Sequence, residues 1–185
     1  MRPLRGQNRR QDGATLVEFA LVMPLIMLLF IGIMEFGMSF YDFLTVEQAA
    51  REGVRTGAFV GTAPDADCQI MTSIVDFLPN GFLDRVDRFE IYEATSDGDQ
   101  IASRTNTWTY TGGDPDPCAN PLLNWSVVEQ WPSSTRQTAA GSQPLDIIGI
   151  RIQMTHNWIT GFPPFTGSYV IDESTILRME PEAFE

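Results

Sequence analysis

Glu18 is the residue whose placement most needs a chemical reason. It lies in Gly13-Ala14-Thr15-Leu16-Val17-Glu18-Phe19, at the head of an apolar stretch. A charge inside a membrane helix costs about 2.5–3.5 kcal/mol on insertion scales, so a carboxylate there calls for a partner. A cut after Gly13 would supply one. Ala14 would then carry a new α-amine, one turn from Glu18 of its own chain, or beside Glu18 of a neighbouring subunit one step along a filament. A first-turn acid also suits the helix dipole, and pairing of the two charges would fix subunit register. A boundary glutamate that merely snorkels to the headgroups is the plain alternative.

The remaining chemistry-bearing residues are few. Cys68 and Cys118 are the only cysteines. Joined, they would close a loop of ~50 residues, worth ~4 kcal/mol in the chain-entropy model; two unrelated buried thiols are the other reading. His156 is the only histidine and no Gly-x-Ser-x-Gly elbow accompanies it, so a structural role is expected, with a His–carboxylate–nucleophile hydrolase as an outlying alternative. With one His and two Cys the common zinc sites are hard to build. Asp97-Gly98-Asp99 and Asp114-Pro115-Asp116 carry carboxylates, but neither follows a calcium-loop spacing, and both read as turns. Phosphate loops and dinucleotide fingerprints are absent from the sequence. No metal or cofactor is expected. The aromatics Trp108, Tyr110, Trp125, Trp131 and Trp158 read as core and sheet packing rather than an adhesive surface.

Charge narrows the class further. Among 185 residues, 24 are acidic and 12 basic, all twelve Arg, for a net charge of −12. Such a surface repels phosphates, which argues against a nucleic-acid partner. The distribution is uneven. Residues 1–35 carry net +1, with Arg2, Arg5, Arg9 and Arg10 ahead of the apolar run, and residues 36–185 carry net −13.

Phe19–Met34 is sixteen residues without a charge. At ~1.5 Å per residue it covers only ~24 Å, short of a ~30 Å hydrocarbon core. Starting the span at Ala14 gives ~31 Å and takes in Glu18; running it on to Tyr41 takes in Glu35. Either way one carboxylate lies in or at the edge of the bilayer. Removal as a signal peptide is disfavoured, because Gly37-Met38-Ser39 is a poor small-x-small site. A retained span with its N-terminus in the cytoplasm follows from the arginines before it. The acidic body then lies outside, periplasmic in a Gram-negative cell, where a Cys68–Cys118 bridge would persist.

Helical periodicity continues past the span. Val46, Ala49, Ala50, Gly53, Val54, Gly57 and Ala58 share one face, and Ala49-Gly53-Gly57-Gly61 forms a ladder of small residues open to close packing. Glu47 and Arg51 make an i,i+4 pair. One helix is expected from about Thr15 to Phe59, kinked at Pro24, where a donor is lost and the ring meets the Ala20 carbonyl. Gly61-Thr62-Ala63-Pro64 ends it. Beyond it, Asp65 is expected to cap a helix Ala66–Leu78 with Ile70, Ile74, Phe77 and Leu78 on one face. Phe89–Ala94 and Gln100–Tyr110 read as a hairpin around Thr95–Asp99. Pro121–Trp131 reads as a helix and Ser133–Gln143 as a surface loop. Ile148–Thr155 alternates as a strand, and Tyr169–Ile171 and Thr175–Met179 give one or two more. The fold class is α+β: a long helix with a small antiparallel sheet domain.

Several of these residues form an ordered series. Gly13-Ala14-Thr15-Leu16-Val17-Glu18-Phe19-Ala20-Leu21, Pro24, Gly32-x-x-Glu35-Phe36-Gly37, Ala49-Ala50-Arg51-Glu52-Gly53-Val54-Arg55 and the ending Leu177-Arg178-Met179-Glu180-Pro181 resemble the TadE-like family. These are pseudopilins of the tight-adherence pilus system. The likeness is dense over residues 13–60. It implies a non-enzymatic chain with a pilin-like plan and cleavage by a prepilin peptidase between Gly13 and Ala14. It also implies assembly through Glu18 and Phe19. Its implied partners are that peptidase, other pilins or pseudopilins, inner-membrane platform proteins and inner-membrane lipid. The expected division is a leader 1–13, a transmembrane part 14–41, a projecting helix 42–60 and a periplasmic domain 61–185. A membrane-anchored binding or adhesion domain that is never processed is the main alternative.

Overall fold

The computed structural model describes residues 8–119, 121–138 and 144–179. Arg2 and Arg5, part of the Ser133–Gln143 segment, and Glu180-Pro181 lie outside the described residues. Helix α1 runs Asn8–Val60 with Pro24 inside it. It starts before the expected Thr15. Arg9, Arg10 and Gln11 are good helix formers, and one Gly at position 13 costs only ~1 kcal/mol, too little to stop propagation. At its other end Gly61 takes a positive φ of 57°, a left-handed terminator that a side chain would resist.

Helix α2, Ala66–Phe77, follows. Asp65 precedes it but its side chain makes no capping bond, contrary to the expectation. Its buried face is Ala66, Ile70, Met71, Ile74 and then Leu78, whereas Phe77 is exposed. Met71, one residue after Ile70, widens the stripe that Phe77 was expected to complete.

Five strands follow: β1 Val86–Ala94, β2 Gln100–Tyr110, β3 Trp125–Val128, β4 Ile147–Asn157 and β5 Ser168–Arg178. They form one antiparallel sheet in the order β3-β2-β1-β4-β5. The β1–β2 turn closes through Thr95 and Asp99, with Gly98 at φ 94°. The expected helix Pro121–Trp131 is a correction. Only Pro121–Asn124 is helical (α3), and Trp125–Val128 is an edge strand paired with Tyr110–Thr107. Trp125 is buried and Ser126 exposed, a period-2 pattern, and ladder bonds to β2 override four residues of weak helix propensity.

The described chain divides into two compact units: α1 as far as Phe40 with the segment Trp158–Gly167, and Tyr41–Asn157 with the residues from Ser168 onward. In the second unit the core is one cluster. Val46, Ala49, Ala50 and Val54 of α1 meet Ile70, Met71 and Ile74 of α2 and Phe89, Ile91, Ile148, Ile150 and Ile152 of the sheet. Trp108, Trp125 and Trp131 are buried in the same cluster, as expected for packing rather than display.

Candidate functional site

In the first unit α1 presents an apolar surface nearly all round. Leu16, Phe19, Leu21, Leu25, Phe30 and Ile33 are all exposed. A free face of that composition is unstable in water and at home in lipid. Among the described residues this is the one helix long and apolar enough to cross a membrane, and none of its most apolar window is buried. Gly13, Ala14, Glu18 and Pro24 lie on this exposed part. Ala14 and Glu18 are four residues apart, hence on one face.

Glu35 differs from its surroundings. It is 1% exposed, and its carboxylate accepts the backbone N–H groups of Ile159 (3.1 Å) and Thr160 (2.6 Å). Beside it, Phe36 meets Trp158 and Phe165 edge-on, at ring distances of 6.1 and 5.4 Å. Gly32 leaves room for the Phe165 ring, whose Cζ would lie 3.6 Å from a β-carbon there. The sequence marked Glu35 as a carboxylate at the bilayer edge; its receptor 124 residues away had no local signal.

In the second unit the small-residue ladder has specific neighbours. A β-carbon on Gly53 would fall 2.6 Å from Ile74 Cγ1, and one on Gly57 would fall 2.6 Å from Ile148 Cδ1. Ala49 and Gly61 are buried on the same stripe. Hydrogen would be the only side chain that leaves α2 and β4 this close to α1 at Gly53 and Gly57. Arg51 bonds Glu47 at 2.6 Å, while Arg51, Glu52 and Arg55 face solvent.

Polar groups tie the same elements together, among them Asp42, Arg85, Asn106, Asp67 and Arg136, which sequence reasoning missed, and His156 and the Cys68–Cys118 pair, which it singled out. Asp42 of α1 receives His156 Nδ1 of β4 at 2.6 Å and is held by the Arg85 guanidinium, whose Nη1 lies 3.1 Å from Oδ1. An ionised carboxylate only accepts, so Nδ1 carries the proton. His156 is 1% exposed, and its ring packs on Tyr169 at 5.2 Å. Asn106, fully buried, accepts from the N–H groups of Gln130 (2.8 Å) and Trp131 (2.6 Å) and donates to Asp67 (2.6 Å). Arg136 pairs with Asp67 and stacks 4.7 Å from the Trp131 ring. Cys68 and Cys118 are joined, with Cα atoms 5.2 Å apart.

The Asp114–Asp116 carboxylates are used internally. Asp116 Oδ1 accepts the N–H groups of Cys118 and Ala119, and Asp114 accepts that of Asp116. Among the described residues no group of three or more His, Cys, Asp or Glu gathers as a metal site would require.

Fold and site together define a pilin-like α+β chain: a long helix, apolar and exposed in its first half, packed in its second half on a five-stranded antiparallel sheet. Residues 13–55 match the family model described as TadE-like protein. That match begins at Gly13 and ends within the stretch of α1 that packs on α2 and the sheet. No curated protein and no solved structure matches the chain.

Proposed function

We propose that the chain is a non-enzymatic minor pilin or pseudopilin of a tight-adherence pilus. In this reading a prepilin peptidase cuts between Gly13 and Ala14. Residues 14–41 hold the mature protein in the inner membrane as a single span, N-terminus in the cytoplasm and domain in the periplasm. Glu18 pairs with an Ala14 amine and, with Phe19, sets the step at which helices pack beside other pilins and the platform proteins. The Ala49-Gly53-Gly57-Gly61 ladder serves within the subunit, seating α1 against its own domain.

One observation carries the reading: the family match starts at the residue where the basic leader gives way to an exposed apolar helix with Glu18 one turn in. The arginines preceding the span support the orientation. Mass spectrometry of the membrane-extracted protein tests the cut. A mature chain beginning at Ala14 is expected; one beginning at Met1, or near Ser39, would overturn it. Glu18→Ala should leave membrane insertion intact and lower pilus yield, because the amine loses its counter-charge while the span becomes more apolar. Normal yield from that variant would remove the assembly role of Glu18.

A further inference from the structure

The segment joining β4 to β5 is Trp158-Ile159-Thr160-Gly161-Phe162-Pro163-Pro164-Phe165-Thr166-Gly167. It carries no charge in a chain of net −12. Its inner side, Trp158 and Phe165, packs on Gly32 and Phe36 of α1. Its outer side leaves Ile159 60% and Phe162 51% exposed. Those two apolar side chains have no core to join, yet they are held in place. Glu35 takes the backbone donors of Ile159 and Thr160, and Trp158 N–H donates to the Gly167 carbonyl at 3.4 Å.

Height along α1 identifies what lies opposite. Residues 14–34 measure ~31 Å at the helical rise, about one hydrocarbon thickness. Glu35 is the next residue, so the segment it grips stands at the outer boundary of the bilayer. Phe36 of α1 is exposed at the same level, and Phe40 about one turn beyond it. Aromatic and apolar side chains on a satisfied backbone are what that zone accepts, whereas a bare carboxylate or open N–H groups are what it penalises.

We propose that Trp158–Gly167 is a second membrane contact, a foot that sets Ile159 and Phe162 among the outer-leaflet headgroups and acyl ends beside the spanning helix, with Glu35 as its clasp. The proposal rests on α1 being the membrane anchor. The foot turns a single-helix tether into two contacts, which restricts tilting of the domain before a subunit leaves the bilayer. Glu35 is a positioning residue: two N–H donors satisfy its carboxylate oxygens at a depth where unsatisfied ones would be costly.

The test uses the full chain in phosphatidylethanolamine–phosphatidylglycerol vesicles. Nitroxide labels go on Ile159→Cys, Phe162→Cys, the helix position Leu25→Cys and the β1–β2 turn position Ser96→Cys, with the native disulfide left closed. The readout is collision with oxygen relative to a water-soluble nickel chelate. The oxygen-to-nickel ratio at 159 and 162 should exceed that at Ser96 several-fold, since apolar oxygen partitions into lipid and the hydrophilic chelate does not. Adding Glu35→Ala should return both labels to the Ser96 value while Leu25 stays lipid-exposed. Ratios at 159 and 162 equal to that at Ser96, with Leu25 in lipid, would overturn the foot and leave the anchor standing. An aqueous reading at Leu25 would overturn both. Labels shielded from both reagents and broadened by a neighbouring copy would also overturn it, assigning the segment to a subunit contact instead.

Discussion

Asp42 and His156 are 114 positions apart in sequence and 2.6 Å apart in space. One sits on α1, the other near the end of β4, and both are nearly inaccessible to water. The bond therefore fastens the helix to the sheet where neither group can turn to solvent instead. Removing one partner of a buried hydrogen-bonded pair leaves the other unsatisfied and costs about 1–3 kcal/mol. Asp42→Ala should lower the unfolding free energy of the detergent-solubilised chain by that amount. A cycle with His156→Ala should show a coupling above about 1 kcal/mol. Arg85 grips the same carboxylate from a half-exposed position, so Arg85→Gln should cost clearly less. Additive effects of the Asp42 and His156 substitutions would break the argument.

Glu173 on β5 carries a built-in pH dependence. Partial burial raises its carboxyl above the usual 4.5, and the charges of Glu47 and Asp172 push the same way. A carboxylic acid whose folded pKa is raised binds its proton more readily in the native state. The penalty is therefore absent below the unfolded value, grows as pH rises through the folded one, and persists at neutrality. Glu173→Gln should raise the melting temperature at pH 7 and make no difference below about pH 4.5. Melting curves of both chains across pH 4–8 check the sign. A gain confined to acid would reverse it.

The parts of this architecture that were legible in sequence are those with long, unbroken periodicity. The stripe Val46-Ala49-Ala50-Gly53-Val54-Gly57-Ala58 is buried as its 3.6-residue spacing implied. The alternation of β4 buries Ile148, Ile150, Ile152 and Met154, and it runs on to bury His156, so the inward side of the histidine was readable from the strand beside it. Three features were not readable. Edge strand β3 is four residues long, too short for a period, and exists because Thr107–Tyr110 offers it a ladder. Asp42 breaks an apolar stripe with a charge whose partners, Arg85 and His156, come from distant segments. Glu35 finds its donors in a loop 124 positions on. Long-range polar pairing leaves no local trace, whereas burial of a regular face does.

Gly53 and Gly57 look alike in sequence and should respond differently to the same change. Alanine in place of glycine within a helix gains about 1 kcal/mol of propensity. At Gly57 the new methyl meets Ile148 Cδ1 and, at 3.2 Å, Ile70 Cδ1, the terminal carbons of two buried chains. At Gly53 it meets Ile74 Cγ1 and Cδ1 together, part-way up a fully buried side chain. Overpacking of that kind costs about 1–3 kcal/mol. Both alanine substitutions should destabilise, Gly57→Ala less than Gly53→Ala, which should cost up to about 2 kcal/mol, and Gly53→Val should be worse than either. Thermal unfolding followed by the sheet's circular dichroism ranks them. Equal effects at the two positions would mean that the helix, not the contact, sets the response.

The Cys68–Cys118 bridge joins α2 to the loop after β2 across 50 positions. Apart from the bridge that loop is held by the buried Pro117, by Tyr110 Oη donating to the Gly113 carbonyl at 2.6 Å and by the local turns of Asp114 and Asp116, with Thr72 Oγ1 3.2 Å from the Cys118 sulfur. The bridge should thus act chiefly on the unfolded chain, by about 4 kcal/mol for a loop of this length. Denaturant unfolding of the Cys68→Ser/Cys118→Ser chain should show that loss with the sheet otherwise native. Reductant should destabilise the parent and leave the double variant unchanged. If reductant shifts both chains alike, the thiols are not the source of the effect. If the double variant matches the parent, the loop is already ordered by other contacts and the entropic account fails.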